Sequence, residues 1–95
     1  MRFIALPKPM KPTHSHTTLA DAQIGAGMLV HAVQAPAEAP EWGPWLEQIG
    51  FVPGEPVRLM ARAALGGDPL VVRIGHSTFA LRKAEAACIS VHAAT

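Results

Sequence analysis

The sequence predicts a small, mainly β domain, built as a sandwich or barrel of short antiparallel strands. Turn signals recur about every 8–12 residues, which is the spacing typical of such folds. The segments between these turns are short and rich in β-branched and apolar residues. With 95 residues, of which 49% are apolar, the chain can build one thin core, and only one segment has convincing helical periodicity.

Residues 1–18 are predicted to form an irregular arm, and residues 19–95 the folded domain. Pro7, Pro9 and Pro12 remove backbone donors from the arm, which shows neither strand nor helix periodicity. The apolar run at the N-terminus is shorter than the ~7–15-residue core of a secretory signal. No apolar stretch approaches the ~20 residues that cross a bilayer. We therefore expect a cytoplasmic protein that does not span the membrane, and the lone Cys88 fits a reducing compartment.

Strands are expected wherever apolar and polar side chains alternate between turn signals. In the segment VRLMARA, this alternation predicts that Leu59 and Ala61 face the core and that Arg58 and Arg62 face solvent. One further helical turn is expected at residues 83–86. The five strands are expected at residues 28–33, 57–63, 70–75, 78–82 and 88–92.

The alternation also selects the residues that should fill the interior of the barrel. Their side chains share one face of each predicted strand. This inward-facing set consists of Val57, Leu59, Leu70, Val72, Ile74, Phe79, Leu81, Ile89 and Val91.

The helix is predicted in the segment PWLEQIG. Pro44 suits a first helical position, because its missing N–H would have no partner there. Trp45, Leu46 and Ile49 share one face at helical spacing, and Gly50 supplies a C-terminal stop. The segment is therefore a short amphipathic helix.

The stretch GGDP predicts a reversal of the chain. Gly66 and Gly67 permit positive φ, and Pro69 favours an extended conformation at Asp68. Asp68 has no second catalytic group in reach, and the nearby Glu85 is explained by exposed turn chemistry. We therefore interpret Gly67, Asp68 and Pro69 as a structural corner. The sequence contains no triad, phosphate-binding loop or complete set of metal ligands, so it does not indicate an enzyme.

Three blocks of the chain, IGFVPGEPV, LGGDPLVVRI and FALRKAEAACISV, resemble the bacterial FeoA family in residues, order and spacing. Together they cover the chain from about Met28 to His92. The resemblance implies an SH3-like antiparallel barrel with one short helix. It also implies a non-catalytic accessory protein of ferrous iron uptake that requires no cofactor. Such a protein would modulate the membrane transporter FeoB by contact with its cytoplasmic G-protein portion, recruited to the inner face of the membrane.

The same barrel is similar to the C-terminal domain of iron-dependent repressors, which leaves a second hypothesis open. The chain could be a free-standing transition-metal-binding or metal-sensing domain. His14 and His16 could lie on one side of an extended arm and hold zinc or iron. Two ligands do not complete a site, because zinc sites usually have about three or four protein ligands. A surface-bound ion would therefore bridge two copies of the chain or recruit further side chains.

A protein partner is favoured over nucleic acid, because the net charge is only +1 and the basic residues are scattered. Tryptophan and arginine are the side chains most often found at the energetic centres of interfaces. The candidate partner-binding residues are therefore Trp42, Trp45, Arg58 and Arg62.

Overall fold

The structure, a computed structural model, describes residues 17–64 and 66–94, and its main element is an antiparallel sheet of six short strands. The strands are β1 (Thr17–Thr18), β2 (Met28–Val33), β3 (Pro56–Arg62), β4 (Leu70–Ile74), β5 (Ser77–Leu81) and β6 (Ile89–Ala93). The helices are α1 (Trp42–Gln48) and α2 (Lys83–Ala86), and a 3-10 turn spans Leu19–Asp21. The strand order is β1-β6-β2-β3-β4-β5. The prediction of a mainly β, barrel-like antiparallel domain is confirmed, as is the helical turn at α2.

The first strand is the one element of the sheet that the sequence analysis misses. Thr17 pairs with Val91 and Thr18 pairs with Ser90, so the sheet begins inside the segment assigned to the arm. The expected number of five strands is therefore wrong by one. Two residues are too few to show the alternation on which the other strands were predicted. The rest of the predicted arm lies outside the described residues.

Alternation along the strands builds the core. In β4, Leu70, Val72 and Ile74 are buried, whereas Val71 and Arg73 point outward. Every residue of the predicted inward-facing set is buried except Phe79, which is partly buried and packs against the core. The largest fully buried side chains are Phe51, Leu19, Leu46, Leu59, Leu70, Leu81 and Ile89.

A β-bulge in β3 reverses this alternation halfway along the strand. The register of β3 against β4 shifts at Met60, which is the extra residue. Arg58 precedes the bulge and faces solvent as predicted. After the bulge, Ala61 is exposed and Arg62 lies opposite the buried Leu70. The predictions that Ala61 faces the core and that Arg62 faces solvent are therefore wrong.

Helix α1 begins at Trp42, two residues before the predicted start, so Pro44 lies within its first turn. Gly50 ends it with a φ of 123°, a conformation that glycine adopts without strain. Leu46 anchors the helix in the core, but Trp45 is 39% exposed, so the two do not share a buried face as predicted. No helix in the described part of the chain is long and apolar enough to span a membrane.

Candidate partner-binding surface

Two arginines lie side by side on the outer face of β3 and β4. Arg58 and Arg73 are directly opposed in the ladder, and both residues are exposed. Among the described residues, neither guanidinium has an ion-pair or hydrogen-bond partner. Met60 and Val71 add exposed apolar area to the same side of the sheet. We call this surface the outer β3–β4 face, and it combines unpaired cationic groups with apolar side chains.

A groove of about 360 Å³ crosses the outer β3–β4 face. Gly27 and Ala94, which adjoin β2 and β6, line one side, and Arg73 and Gly75 line the other. Gly27 allows the side chain of Arg58 to lie close to the backbone: a Cβ at this position would be 3.3 Å from the Arg58 Nη2 atom. The position of the Arg58 side chain in the groove therefore depends on the absence of a side chain at Gly27.

Arg62 has a different environment, because its guanidinium is engaged within the chain. Nη1 donates to the Ala20 carbonyl at 2.8 Å, and Nη2 donates to the Ala22 carbonyl at 2.9 Å. Both alanines are buried, in and just after the 3-10 turn. Carbonyls at the end of a helical turn lack helical partners, and Arg62 supplies the donors for these two. Arg62 therefore joins the 3-10 turn to the end of β3.

The two tryptophans belong to α1, which packs against β2. Trp42 is half-buried, and Trp45 is exposed at the surface of the helix. Of the four predicted partner-binding residues, Trp45 and Arg58 are exposed on different elements, Trp42 is half-buried and Arg62 is engaged with the 3-10 turn. Arg73, which the sequence analysis did not select, is the residue that accompanies Arg58. Its outward orientation follows from the alternation in β4, but its position opposite Arg58 depends on the strand register.

The predicted corner contains two consecutive glycines in the left-handed region, Gly66 with φ 77° and Gly67 with φ 71°. The Asp68–Pro69 peptide bond that follows is cis. Asp68 Oδ1 accepts a hydrogen bond from the Lys83 backbone N–H at 3.0 Å, which ties the corner to the first residue of α2. This carboxylate therefore has a structural partner in the backbone of α2.

Glu85 also makes a local structural contact. Its Oε1 atom accepts a hydrogen bond from the Arg82 backbone N–H at 2.8 Å, across the first turn of α2. The contact is the return half of a capping box, in which an acidic side chain reaches back to the N-cap residue. The geometry supports the interpretation of Glu85 as turn chemistry.

We expect the stability of the corner to depend more on the backbone conformation of its glycines than on the charge of Asp68. Gly67→Ala should lower the free energy of unfolding by about 1–2 kcal/mol, because its φ is left-handed while a Cβ there would meet no atom within 4 Å. Asp68→Asn retains an oxygen acceptor for Lys83, so its cost should stay below about 1 kcal/mol. The measurement is urea unfolding followed by circular dichroism. Gly43→Ala is the matched control, because Gly43 has an ordinary φ inside α1, and a loss there equal to that of Gly67→Ala would contradict the prediction.

The predicted metal ligands His14 and His16 lie outside the described residues. Within the described ranges, no group of three or more His, Cys, Asp or Glu residues is arranged to hold a metal ion. His31 and His92 come together across β2 and β6, with ring centroids 6.0 Å apart and ring planes at 78°. These two imidazoles lie on neighbouring strands but do not make a group of three ligands.

Cys88 is a weak candidate for chemistry. Partial burial, with a further contribution from the negative charge of Glu85, raises the pKa of its thiol above the usual value of 9.0. Its Sγ atom lies 3.5 Å from the Ala84 carbonyl, to which the thiol can donate. The thiol is therefore protonated at neutral pH, and the thiolate is the form that attacks electrophiles and binds metals.

A family model described as the FeoA domain matches residues 17–93. Among solved structures, the chain is similar to FeoA of Stenotrophomonas maltophilia, crystallised with zinc and described as a procaryotic SH3 domain protein. The identity is 36%, the TM-score is 0.71, and the match covers 79% of this chain and 88% of that one. Iron(II) transport protein A from Clostridium thermocellum matches with 33% identity and a TM-score of 0.69, over 82% of this chain and 46% of that one.

A manganese-dependent transcriptional repressor matches with 22% identity and a TM-score of 0.71, over 86% of this chain and 38% of that one. At this identity the likeness concerns the fold alone. The chain spans less than half of this repressor and of the Clostridium protein. No protein among those with curated functional descriptions matches the chain.

Proposed function

Since the chain belongs to the FeoA family, which is associated with ferrous iron transport, we propose that it is a non-catalytic accessory protein that modulates an FeoB-type membrane transporter by contact. In this proposal it works in the cytoplasm and binds the cytoplasmic G-protein portion of the transporter at the inner face of the membrane. The observation that carries the proposal is the outer β3–β4 face, where Arg58 and Arg73 lie exposed and side by side. Guanidinium groups that are not used inside the chain are suited to carboxylates of a partner.

The exposed Trp45 is the second contact in this proposal. A tryptophan that is 39% exposed retains a large apolar surface that a partner can cover. A transient regulatory contact buries less than about 1,200 Å² in total. Trp45 and Arg58 lie on different elements, so each is tested separately.

The test is binding of the full-length chain to the FeoB-type transporter in nanodiscs and to its isolated cytoplasmic portion. Arg58→Ala and Trp45→Ala should each raise the Kd about tenfold or more, the effect of losing ~1.4 kcal/mol at an interface hot spot. Higher salt should weaken binding of the wild type, because exposed charges are screened beyond about 8 Å at physiological ionic strength. It should weaken binding of Arg58→Ala less.

Arg82→Ala is the matched control, since Arg82 is an exposed arginine at the start of α2 and away from the outer β3–β4 face. It should bind the transporter like the wild type. Equal binding by all variants at every salt concentration would show that neither Arg58 nor Trp45 takes part. The exposed surface near His76 and Lys83 would then be tested next.

Transition-metal binding is the second proposed function. It is supported by the FeoA of Stenotrophomonas maltophilia, whose crystal structure is a complex with zinc, and by the approach of His31 and His92 in this chain. The metal content of dilute, tag-free protein separates the two functions. A stoichiometric ion that persists on dilution would favour a metal-binding domain, whereas loss of the ion would favour a bridge between copies through surface histidines such as His14 and His16.

A further inference from the structure

The groove on the outer β3–β4 face has a chemical character that defines its ligand. Its volume of about 360 Å³ is at the low end of the ~300–1,000 Å³ of ligand-binding clefts. Met28, Pro56 and Met60 give it apolar walls, and methionine side chains adapt to different ligand shapes. Arg58 and Arg73 provide its charge. A ligand that fits must therefore be both apolar and anionic.

A bound anion would relieve the electrostatic repulsion between Arg58 and Arg73. Like charges at directly opposed ladder positions repel each other, which costs the sheet a few tenths of a kcal/mol or more. Arg58 and Arg73 occupy such positions, and no described carboxylate forms an ion pair with either. Glu55 is the acidic residue beside the groove, 3.6 Å from the position of a Cβ on Gly75, but it too makes no ion pair with them. A carboxylate bound between the two guanidinium groups would remove the repulsion.

The residues that line the groove favour one class of anionic ligand over others. Nucleic acid is bound through stacking of bases on aromatic rings and through many phosphate contacts. No aromatic side chain lines this groove, and it has two cationic groups only. The arm of the chain itself is also unsuitable, because residues 1–16 carry Arg2, Lys8 and Lys11 and no acidic residue. A protein segment with acidic and apolar residues fits both parts of the groove.

We propose that this groove binds an extended acidic peptide segment of a partner protein, with one carboxylate between Arg58 and Arg73 and the apolar side chain two positions away against Met60. Extended chains project alternate residues to opposite sides, so one acidic residue and the apolar residue two positions away can enter the groove together. Bidentate contacts from guanidinium groups would fix the carboxylate. The inference concerns the groove and its ligand, whichever protein supplies the segment, and it does not depend on the transporter being the partner.

The test is an NMR titration of the full-length, ¹⁵N-labelled chain with the acetylated and amidated peptide Ser-Glu-Ser-Leu-Ser, in which the acidic and the apolar side chain are two positions apart. Amide signals of Gly27, Met60 and Gly75 should shift more than those of the rest of the chain. The same peptide with Gln in place of Glu should bind at least tenfold more weakly, as should the acidic peptide to Arg58→Gln or Arg73→Gln. Arg82→Gln should bind like the wild type, because its side chain lies outside the groove.

A second variant keeps both charges and changes only the groove wall. Gly27→Ala places a Cβ 3.3 Å from Arg58 Nη2, so the guanidinium must move, and affinity for the acidic peptide should fall severalfold in a chain with an unchanged melting temperature. Equal binding of the Glu and Gln peptides, or shifts confined to other surfaces, would overturn the proposal. Tighter binding of a single-stranded oligonucleotide than of the peptide would overturn it as well. Peptide binding without any binding of the transporter would leave this inference standing and contradict the proposed function instead.

Discussion

Phe51→Ala should lower the free energy of unfolding by about 3–5 kcal/mol, the usual cost of truncating a buried aromatic ring. Phe51 follows α1 and precedes β3 in the chain, and its side chain is fully buried. The centroid of its ring lies 6.5 Å from that of the Phe79 ring. Its backbone N–H donates to the Leu46 carbonyl at 3.0 Å, which ties the backbone of Phe51 to α1. Small domains are stable by about 5–15 kcal/mol, so this variant should be partly unfolded near physiological temperature.

Chemical unfolding followed by far-UV circular dichroism measures this loss. Val52→Ala is the matched control, because Val52 is the next residue and is 38% exposed. Its cost should be below about 1 kcal/mol. If the two variants had similar midpoints in urea, Phe51 would not be a principal residue of the core.

Arg62→Ala should lower the free energy of unfolding by about 2–3 kcal/mol, although it removes no apolar core residue. Hydrogen bonds from a charged donor contribute about 1.5–3 kcal/mol each, and the environment of Arg62 is only partly buried. Its loss would leave the carbonyls of Ala20 and Ala22 without these donors. Lysine cannot reproduce two forked hydrogen bonds with one ammonium group, so Arg62→Lys should recover less than half of the stability.

Arg58→Ala is the matched control for this result, since it deletes the same side chain from the same strand on the exposed side of the bulge. It should change stability by less than about 0.5 kcal/mol. A small gain is compatible with the prediction, because the change relieves repulsion from Arg73. If Arg58→Ala and Arg62→Ala lowered the free energy of unfolding by the same amount, the predicted stabilising role of the Arg62 hydrogen bonds would be wrong. Hydrogen exchange at the amide of Ala22, which bonds to the Leu19 carbonyl, gives an independent measurement of the 3-10 turn.

The strands from β2 onward could be predicted from the sequence because they are rich in β-branched and apolar residues and lie between turn residues, and β4 also carries a clear alternation. Leu70, Val72 and Ile74 show this directly, since the apolar side of β4 is the buried side. The strand β1 could not be predicted, because Thr17 and Thr18 are ordered by pairing with β6, more than 70 residues away along the chain. A pattern of two residues contains no information about such a long-range partner.

The candidate surface was predicted less well than the fold. The sequence identifies exposed arginines but does not show which of them face each other, because that depends on strand register. Arg73 was missed for this reason, and Arg62 was misplaced because a bulge leaves no mark in the alternation before it. Gly27 and Ala94 form one wall of the groove, but they lie far apart in the sequence. No local sequence motif could therefore have indicated the groove.

Because of the bulge at Met60, the direction in which a side chain of β3 points depends on the number of residues in the strand as well as on their type. A relative lacking this extra residue would pair β3 with β4 one to one and keep its arginine opposite the counterpart of Leu70, because the pairs on either side of Met60 are already consecutive in β4. Comparison among relatives must therefore match the length of this strand before it matches arginines. In a strand without the bulge, an arginine two residues after the counterpart of Leu59 corresponds to Arg62, whereas an arginine three residues after it faces outward like Arg58.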